Sequence, residues 1–161
     1  MSNKFRIGHG YDVHRLCENR KLILCGVEIG YERGLLGHSD ADVAVHALMD
    51  AILGAAGMGD IGTHFPPEDM SYKDISSISL LKRAAELISR EGYQIGNIDI
   101  TIIAECPMLK PYIQRMREAL SGALGLETGD VSVKATTEEG LGFTGSGEGI
   151  AAHAVCVISR I

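Results

Sequence analysis

The chain has 161 residues, of which 45% are hydrophobic and 22% are charged, and its net charge is −6. A chain of this length can bury a core without disulfide staples, and its acidic balance argues against a general nucleic-acid-binding protein. The N-terminal residues do not resemble a signal peptide, so none is expected, and no apolar stretch approaches the roughly 20 residues of a membrane helix. The four cysteines form no C-x-x-C pair. We therefore expect a cytoplasmic protein with reduced thiols and with neither membrane nor nucleic-acid partners.

The pattern of apolar residues predicts strands that alternate with helices. Strands are expected over residues 5–16, 22–29, 95–104, 131–136 and 150–159, and helices over 42–56, 76–91 and 111–125. Gly26 predicts a bulge or a turn within the second strand. The order β-β-α-α-β-α-β-β favours an α/β (α+β) layered fold, in which helices cover one face of a mixed sheet. We expect a single domain over residues 1–161, because the sequence contains neither a repeat nor a linker.

Polar side chains on the first strand and the first helix predict a metal site. Asp12 and His14 are two residues apart, so on a strand both point to the same face. His46 is the expected third ligand, and Asp42 and Asp50 lie four residues either side of it, where they could orient its imidazole. Two histidines and one carboxylate suit zinc and leave a position open for substrate.

These residues also have simpler explanations. An isolated D-x-H pair is more often a surface turn than a ligand pair, and a helical histidine between two aspartates is usually solvated. The metal interpretation therefore depends on the motifs that surround these residues.

Three further segments combine turn residues with groups that suit phosphate. His38-Ser39-Asp40 precedes the first helix; it can simply cap that helix, but a histidine and free amides at a helix N-terminus also suit phosphate oxygens. The loop over residues 59–67 is either an ordinary connection or a substrate-gripping loop. Residues 134–149 form a glycine-rich connection that is long for a hairpin and that does not match a P-loop. Its glycines permit close backbone approach to a ligand, and Thr137 supplies a hydroxyl.

Taken in order, these motifs resemble one family. The segments IGHGYDVH (7–14), GHSD (37–40) with residues 42–46, GDIG (59–62), KATT (134–137) and GFTG (142–145) are similar to those of 2-C-methyl-D-erythritol 2,4-cyclodiphosphate synthases. The resemblance implies a step of the non-mevalonate (MEP) route to isoprenoid precursors. In that step 4-diphosphocytidyl-2-C-methyl-D-erythritol 2-phosphate cyclises to the 2,4-cyclodiphosphate and CMP leaves. It also implies a homotrimer with active sites between subunits.

The same resemblance implies roles for individual residues. Asp12, His14 and His46 would bind zinc or another divalent transition metal, and Glu139 would help to hold Mg or Mn at the substrate diphosphate. His38 and Thr137 would stabilise the transition state. The positions implied for binding the methylerythritol and phosphate groups are Ser39, Asp60, Ile61, Gly62, Phe65, Asp69 and Phe143. Those implied for the cytidine nucleotide are Ala104, Glu105, Cys106, Pro107, Met108, Leu109, Lys110, Ala135, Thr136 and Thr137.

Three positions depart from the family pattern, and one of them, Gly140 in place of a frequent lysine, has no consequence that the residues indicate. Met108 stands where relatives commonly have lysine, which removes a basic contact to the nucleotide. Ser146 stands where many relatives have arginine, which weakens the expectation of isoprenoid-diphosphate binding in the central cavity of a trimer.

Two other functions remain open from the residues alone. A zinc phosphodiesterase acting on a nucleotide diphosphate would release a linear phosphate. A trimeric CMP-binding module would bind metal and nucleotide without turnover, and His38, Thr137 and Glu139 would then be dispensable.

Overall fold

The computed structural model describes residues 5–161 and contains a five-stranded mixed sheet. Its strand order is β4-β1-β7-β5-β6, with β1 at Phe5–Glu18, β4 at Arg33–Leu35, β5 at Tyr93–Ile103, β6 at Val131–Thr136 and β7 at Gly149–Arg160. Only β5 and β6 pair in parallel within this sheet. The predicted mixed α/β architecture is confirmed.

Three long helices pack against one face of this sheet. They are α1 (Val43–Ala56), α3 (Ser77–Arg90) and α4 (Ile113–Leu124), and the core lies between them and the sheet. The short helices α2 (Ile61–His64) and α5 (Gly142–Gly145) lie in the loops, as do the 3₁₀ turns Met70–Tyr72, Lys110–Tyr112 and Thr128–Asp130. None of the helices in residues 5–161 has the length and apolar character needed to cross a membrane.

The opposite face of the sheet carries apolar side chains, and no element within residues 5–161 covers it. Ile7, Tyr11, Val13 and Val155 are 74%, 44%, 41% and 40% exposed. His9 and His153 lie on the same face, and their rings approach to 3.0 Å between His9 Nε2 and His153 Nδ1. Alternation along β1 and β7 places these residues opposite the helix side. We call this surface the open sheet face.

Two glycines on β1 allow α1 to lie directly against the sheet. A Cβ atom on Gly8 would lie 1.8 Å from the Ala51 carbonyl oxygen, and one on Gly10 would lie 1.8 Å from the Ala47 carbonyl oxygen. The helix contributes small alanines to the same contact. Close approach of these two elements is what brings the polar end of β1 to His46.

The structure confirms a turn at Gly26, one of the two predicted alternatives, and corrects the single strand predicted over residues 22–29. They form a hairpin, β2 (Leu22–Leu24) and β3 (Val27–Ile29), rather than one strand. The turn follows from the positive φ angles of Cys25 (51°) and Gly26 (74°), as two-residue hairpin turns require. The prediction also omitted β4, whose three residues show no periodicity and become a strand only by pairing with β1.

Candidate metal pocket and nucleotide cavity

Asp12, His14 and His46 meet at one point between β1 and α1. Asp12 Oδ2 lies 2.9 Å from His14 Nε2 and 3.1 Å from His46 Nδ1, and the two imidazole nitrogens are 3.2 Å apart. His46 is buried, and the other two side chains are partly exposed. The predicted convergence of these three residues is confirmed.

This triangle has the size and donor set of a metal site. At bond lengths of about 2.0–2.1 Å and a tetrahedral angle, two ligands of one zinc ion are roughly 3.3 Å apart. The observed separations of 2.9–3.2 Å need only a slight expansion. The far side of His14 also fits, because the Leu36 carbonyl lies 2.8 Å from Nδ1. A carbonyl can only accept, so Nδ1 carries a proton and Nε2 is the nitrogen left to bind a metal in the triangle.

Asp12 and His14 shift each other's pKa values toward the charged forms. Burial alone would raise the pKa of the Asp12 carboxyl, but hydrogen bonds and positive charge from His14 and His46 lower that pKa far below its ordinary value. Burial alone would lower the pKa of His14, but its hydrogen bond to Asp12 and the Asp12 charge raise that pKa. Asp12 is therefore ionised, as a metal ligand must be.

Asp42 and Asp50, the aspartates predicted to orient His46, bind backbone amides instead. The Asp42 carboxylate accepts from the backbone amides of Cys25, Gly26 and Val45, at 2.9, 2.7 and 3.1 Å. It therefore caps α1 and ties the β2–β3 turn to it. Asp50 accepts from the Ile61 amide at 2.8 Å. The prediction was wrong because helical spacing places a residue on a face but does not say which neighbour its side chain reaches.

The groups beside the far nitrogen of His46 are serine hydroxyls. His46 Nε2 lies 3.0 Å from Ser77 Oγ and 3.1 Å from Ser39 Oγ. Ser77 is fully buried at the start of α3 and was missed by sequence reasoning, because it lies 31 positions from His46. The available signal was its place at a helix N-terminus after the glycine- and proline-rich loop.

The triangle opens into a cavity, which we call the metal pocket. Besides the three ligand residues, its lining includes His38, Ser39, Ile61, Gly62, Phe65, Met49, Pro67, Tyr72 and Leu80. His38 Nε2 is buried and has no hydrogen-bond partner within residues 5–161. The Phe65 ring packs edge-on against Tyr72 with centroids 5.7 Å apart. Five predicted site residues thus share this pocket with the ligand triangle.

Asp60 and Asp69 lie outside the lining of the metal pocket. Asp60 caps α2, since its Oδ1 accepts from both the amide and the hydroxyl of Thr63 at 2.9 Å. Asp69 caps the turn Met70–Tyr72 by accepting from the Ser71 amide at 2.9 Å. Both side chains are exposed, and each keeps a second carboxylate oxygen.

A second cavity, the nucleotide cavity, lies between the ends of β5 and β6. It is lined by every predicted nucleotide-binding residue: Ala104, Glu105, Cys106, Pro107, Met108, Leu109, Lys110, Ala135, Thr136 and Thr137. Ile113, Val133 and Lys134 complete it. Leu109 is buried and anchors the loop, whereas Met108 is 76% exposed. Whatever its side chain, each residue of the loop still supplies the polar groups of its backbone.

The glycine-rich connection between β6 and β7 carries the remaining predicted residues. The Thr137 hydroxyl lies 3.3 Å from the Glu139 amide, and both side chains are exposed. Glu139 lines neither of the two cavities, whereas its neighbour Glu138 binds the Thr144 hydroxyl. Phe143 lines a third cavity, which adjoins the metal pocket at His14.

The metal pocket and the nucleotide cavity share no lining residue. The strand register places Asp12, Ala152, Ile102 and Ala135 in one row across the sheet. With neighbouring strands about 4.8 Å apart, Asp12 and Ala135 are separated by roughly 14 Å. Ala152 and Ile102 fill the row between them and are fully buried. Within one chain, the predicted metal ligands therefore lie apart from Thr137 and Glu139.

Comparison with known proteins gives one consistent result. A sequence model of the YgbB family matches residues 5–159. A 2-C-methyl-D-erythritol 2,4-cyclodiphosphate synthase from Clostridium acetobutylicum is 60% identical over 153 residues, which cover 95% of this chain and 99% of that protein. The CDP complex of IspF from Plasmodium falciparum has a TM-score of 0.85 and is 36% identical, covering 99% of both chains.

Among solved structures, a second 2C-methyl-D-erythritol-2,4-cyclodiphosphate synthase has a TM-score of 0.89 and 36% identity, covering 96% of this chain and 100% of that one. The match spans both cavities and the strands between them. The chain therefore belongs to the YgbB family, the family of 2-C-methyl-D-erythritol 2,4-cyclodiphosphate synthases.

Proposed function

We infer that this chain is the enzyme of the MEP route that cyclises 4-diphosphocytidyl-2-C-methyl-D-erythritol 2-phosphate and releases CMP. The observation that carries the inference is the Asp12–His14–His46 triangle, which opens into the same cavity as His38, whose buried Nε2 has no hydrogen-bond partner in the described part of the chain. Family membership along nearly the whole chain supplies the substrate class.

We propose that Asp12, His14 and His46 hold zinc, and that Glu139 helps to hold Mg or Mn at the substrate diphosphate. When bound, the zinc supplies a Lewis acid that withdraws charge from a phosphate oxygen. The two histidines and the carboxylate suit zinc, although other divalent transition metals accept the same donors. Oxygen ligands and phosphate suit the second cation.

The protein's own contribution is positioning and charge neutralisation. Nucleophile and leaving group are already phosphate anions, so little proton transfer is required. His38 Nε2 is a buried nitrogen free to bind a phosphate oxygen, and the Thr137 hydroxyl is exposed beside the nucleotide cavity. We propose that both stabilise the transition state, in which the 2-phosphate attacks in line and CMP departs.

Binding of the remainder of the substrate is assigned to the two cavities. We propose that Ser39, Ile61, Gly62 and Phe65 contact the methylerythritol and phosphate groups in the metal pocket. Asp60, Asp69 and Phe143 would contribute from its surroundings. In the nucleotide cavity, backbone amides and carbonyls of residues 104–110 would read the cytosine edge, which does not require the lysine replaced by Met108.

We propose that the chain forms a homotrimer, each copy folding as one domain over residues 1–161. Two observations support it. The open sheet face exposes Ile7, Tyr11, Val13 and Val155 as a patch that association would bury. The metal pocket of one chain is also separate from its own nucleotide cavity, so a neighbouring copy could supply the missing half of the site.

Phosphorus NMR tests the reaction directly. Purified protein, the natural substrate, zinc and magnesium are expected to yield CMP together with two coupled cyclic-diphosphate signals. A linear phosphate product would instead support the phosphodiesterase. Bound CMP without turnover, in protein shown to be metal-loaded and trimeric, would support the binding module.

A further inference from the structure

A chain of hydrogen bonds runs from the metal triangle into the buried start of α3. His46 Nε2 lies 3.0 Å from Ser77 Oγ, and the Ser77 hydroxyl in turn bonds to Asp40 Oδ1. The other Asp40 oxygen accepts from the Ser77 amide at 3.0 Å. Asp40 thus holds both the backbone and the side chain of Ser77, which is fully buried.

The direction of this chain follows from the chemistry of its last member. A carboxylate only accepts, so the single Ser77 proton is donated to Asp40. The Ser77 oxygen can then offer His46 only a lone pair, which means that His46 Nε2 must carry the proton. With the proton held on Nε2, Nδ1 is the nitrogen left to bind a metal, and it faces Asp12 and His14, where a metal would replace its hydrogen bond to Asp12.

We propose that Asp40 and Ser77 are positioning residues that select the metal-binding tautomer of His46 and thereby set the affinity of the site. The proposal rests on the proposed metal binding at Asp12, His14 and His46. It assigns His46 the same arrangement as His14, whose far nitrogen donates to the Leu36 carbonyl. Both imidazoles are then held by groups behind them, one on the backbone and one on a buried serine.

The same direction of bonding leaves the hydroxyl proton of Ser39 for the substrate. Ser39 Oγ accepts from the Ala41 amide at 3.2 Å and lies 3.1 Å from His46 Nε2, which already has its own proton. The other neighbouring oxygen, Ser77 Oγ, is 3.5 Å away. Because Ser39 lines the metal pocket, its proton can be donated to a phosphate oxygen there. Ser39 and Ser77 therefore have different roles although both contact His46.

Zinc affinity separates these roles in metal-free protein titrated against a chelating indicator. Ser77→Ala is expected to weaken zinc binding 10–100-fold, the usual effect of losing an outer partner of a ligand. Ser121→Ala is the matched control, because Ser121 is a buried helical serine whose hydroxyl donates to the Glu118 carbonyl and lies 3.4 Å from the Thr128 hydroxyl, outside the metal pocket. Ser39→Ala is expected to slow turnover with little change in zinc affinity.

Nitrogen-15 NMR of the His46 ring supplies a readout that a purely structural role would not change. In metal-free wild type, Nε2 is expected to carry a slowly exchanging proton, which Ser77→Ala makes fast-exchanging or transfers to Nδ1. An unprotonated Nε2 in the wild type, or unchanged zinc affinity in Ser77→Ala, would overturn the proposal. If the wild type fails to bind zinc, the proposed metal site fails, whereas the NMR result still decides the role of Ser77.

Discussion

The metal pocket and the nucleotide cavity lie at the same end of one sheet but are built from different parts of the chain. In the metal pocket the chemistry lies in side chains that hydrogen bonds hold from behind, through Leu36, Ser77 and Asp40. In the nucleotide cavity some lining side chains, such as Met108, are exposed. The polar groups that do not depend on side-chain identity there are those of the backbone. The comparison indicates that the first site depends on the identity of its residues, whereas the second depends on the path of its loop.

The largest expected effect comes from removing one charge from the metal triangle. Asp12→Asn keeps the size of the side chain but loses the carboxylate on which both histidines converge. Turnover is expected to fall at least about 100-fold, because Lewis-acid stabilisation contributes several kcal/mol. Product formation by phosphorus NMR and zinc content measure the effect.

Asp130→Asn is the control, since this exposed aspartate lies in the turn Thr128–Asp130 and outside both cavities. Removing metal from the wild type with a chelator should reproduce the loss, and adding zinc and magnesium should reverse it. Full turnover by Asp12→Asn would contradict the conclusion that the metal pocket depends on the identity of its residues.

The second prediction concerns the contact that brings β1 to α1. Gly10→Ala places a Cβ atom 1.8 Å from the Ala47 carbonyl oxygen, which is backbone and cannot rotate away. The free energy of unfolding is expected to fall by about 3 kcal/mol, since overpacking displaces the helix that carries His46. Denaturant unfolding and zinc affinity should both decline.

Gly54→Ala is the matched control within α1. A Cβ atom there meets nothing within 4 Å, so the helix is expected to gain about 0.5–1 kcal/mol. Equal stability of the two variants would mean that close packing of β1 on α1 does not support the site.

The third prediction uses the buried carboxyl that holds the start of α1. Burial and the nearby Asp40 charge raise the pKa of Asp42 from 3.8 to about 6, although three backbone amides oppose the rise. A raised folded-state pKa means that the folded protein binds more protons than the unfolded chain between these values. The Asp42 contribution to stability is therefore expected to fall by about 2 kcal/mol as pH rises from 4 to 7.

Subtracting the profile of Asp42→Asn isolates this contribution, because the other titrating groups cancel. The stability of the wild type relative to the variant should decline across this pH range. Parallel profiles would show that the Asp42 charge is not penalised by its burial.

The smallest effect is expected in the nucleotide cavity. Met108→Ala removes an exposed side chain but leaves the backbone of the loop in place. The KM for the cytidine substrate should change less than about threefold, and stability should stay within about 0.5 kcal/mol. Steady-state kinetics check the first expectation.

Leu109→Ala provides the contrast within the same loop, because Leu109 is buried. Losing its core contacts is expected to cost about 2–4 kcal/mol and to weaken nucleotide binding through the shape of the loop. A larger kinetic effect for Met108→Ala than for Leu109→Ala would reverse the comparison.

The sequence alone determined the local structure and the identity of the metal triangle. Period-2 and period-3.6 patterns gave the long strands and helices, and the two-residue spacing of Asp12 and His14 placed both on one face of β1. These features depend on neighbouring residues, so they can be read from a short stretch of chain. The place of His46 on the predicted first helix identified it as the third ligand, and the motif resemblance supported that prediction.

Only the tertiary structure decided what holds those residues in place. Ser77 and Leu36 reach the two histidines from distant segments, and Asp42 and Asp50 turn to backbone amides instead. It also showed that Gly10 permits close packing and that the two cavities are separate within one chain. Such contacts are set by how helices pack on a sheet, a long-range property that residue spacing along the chain does not encode.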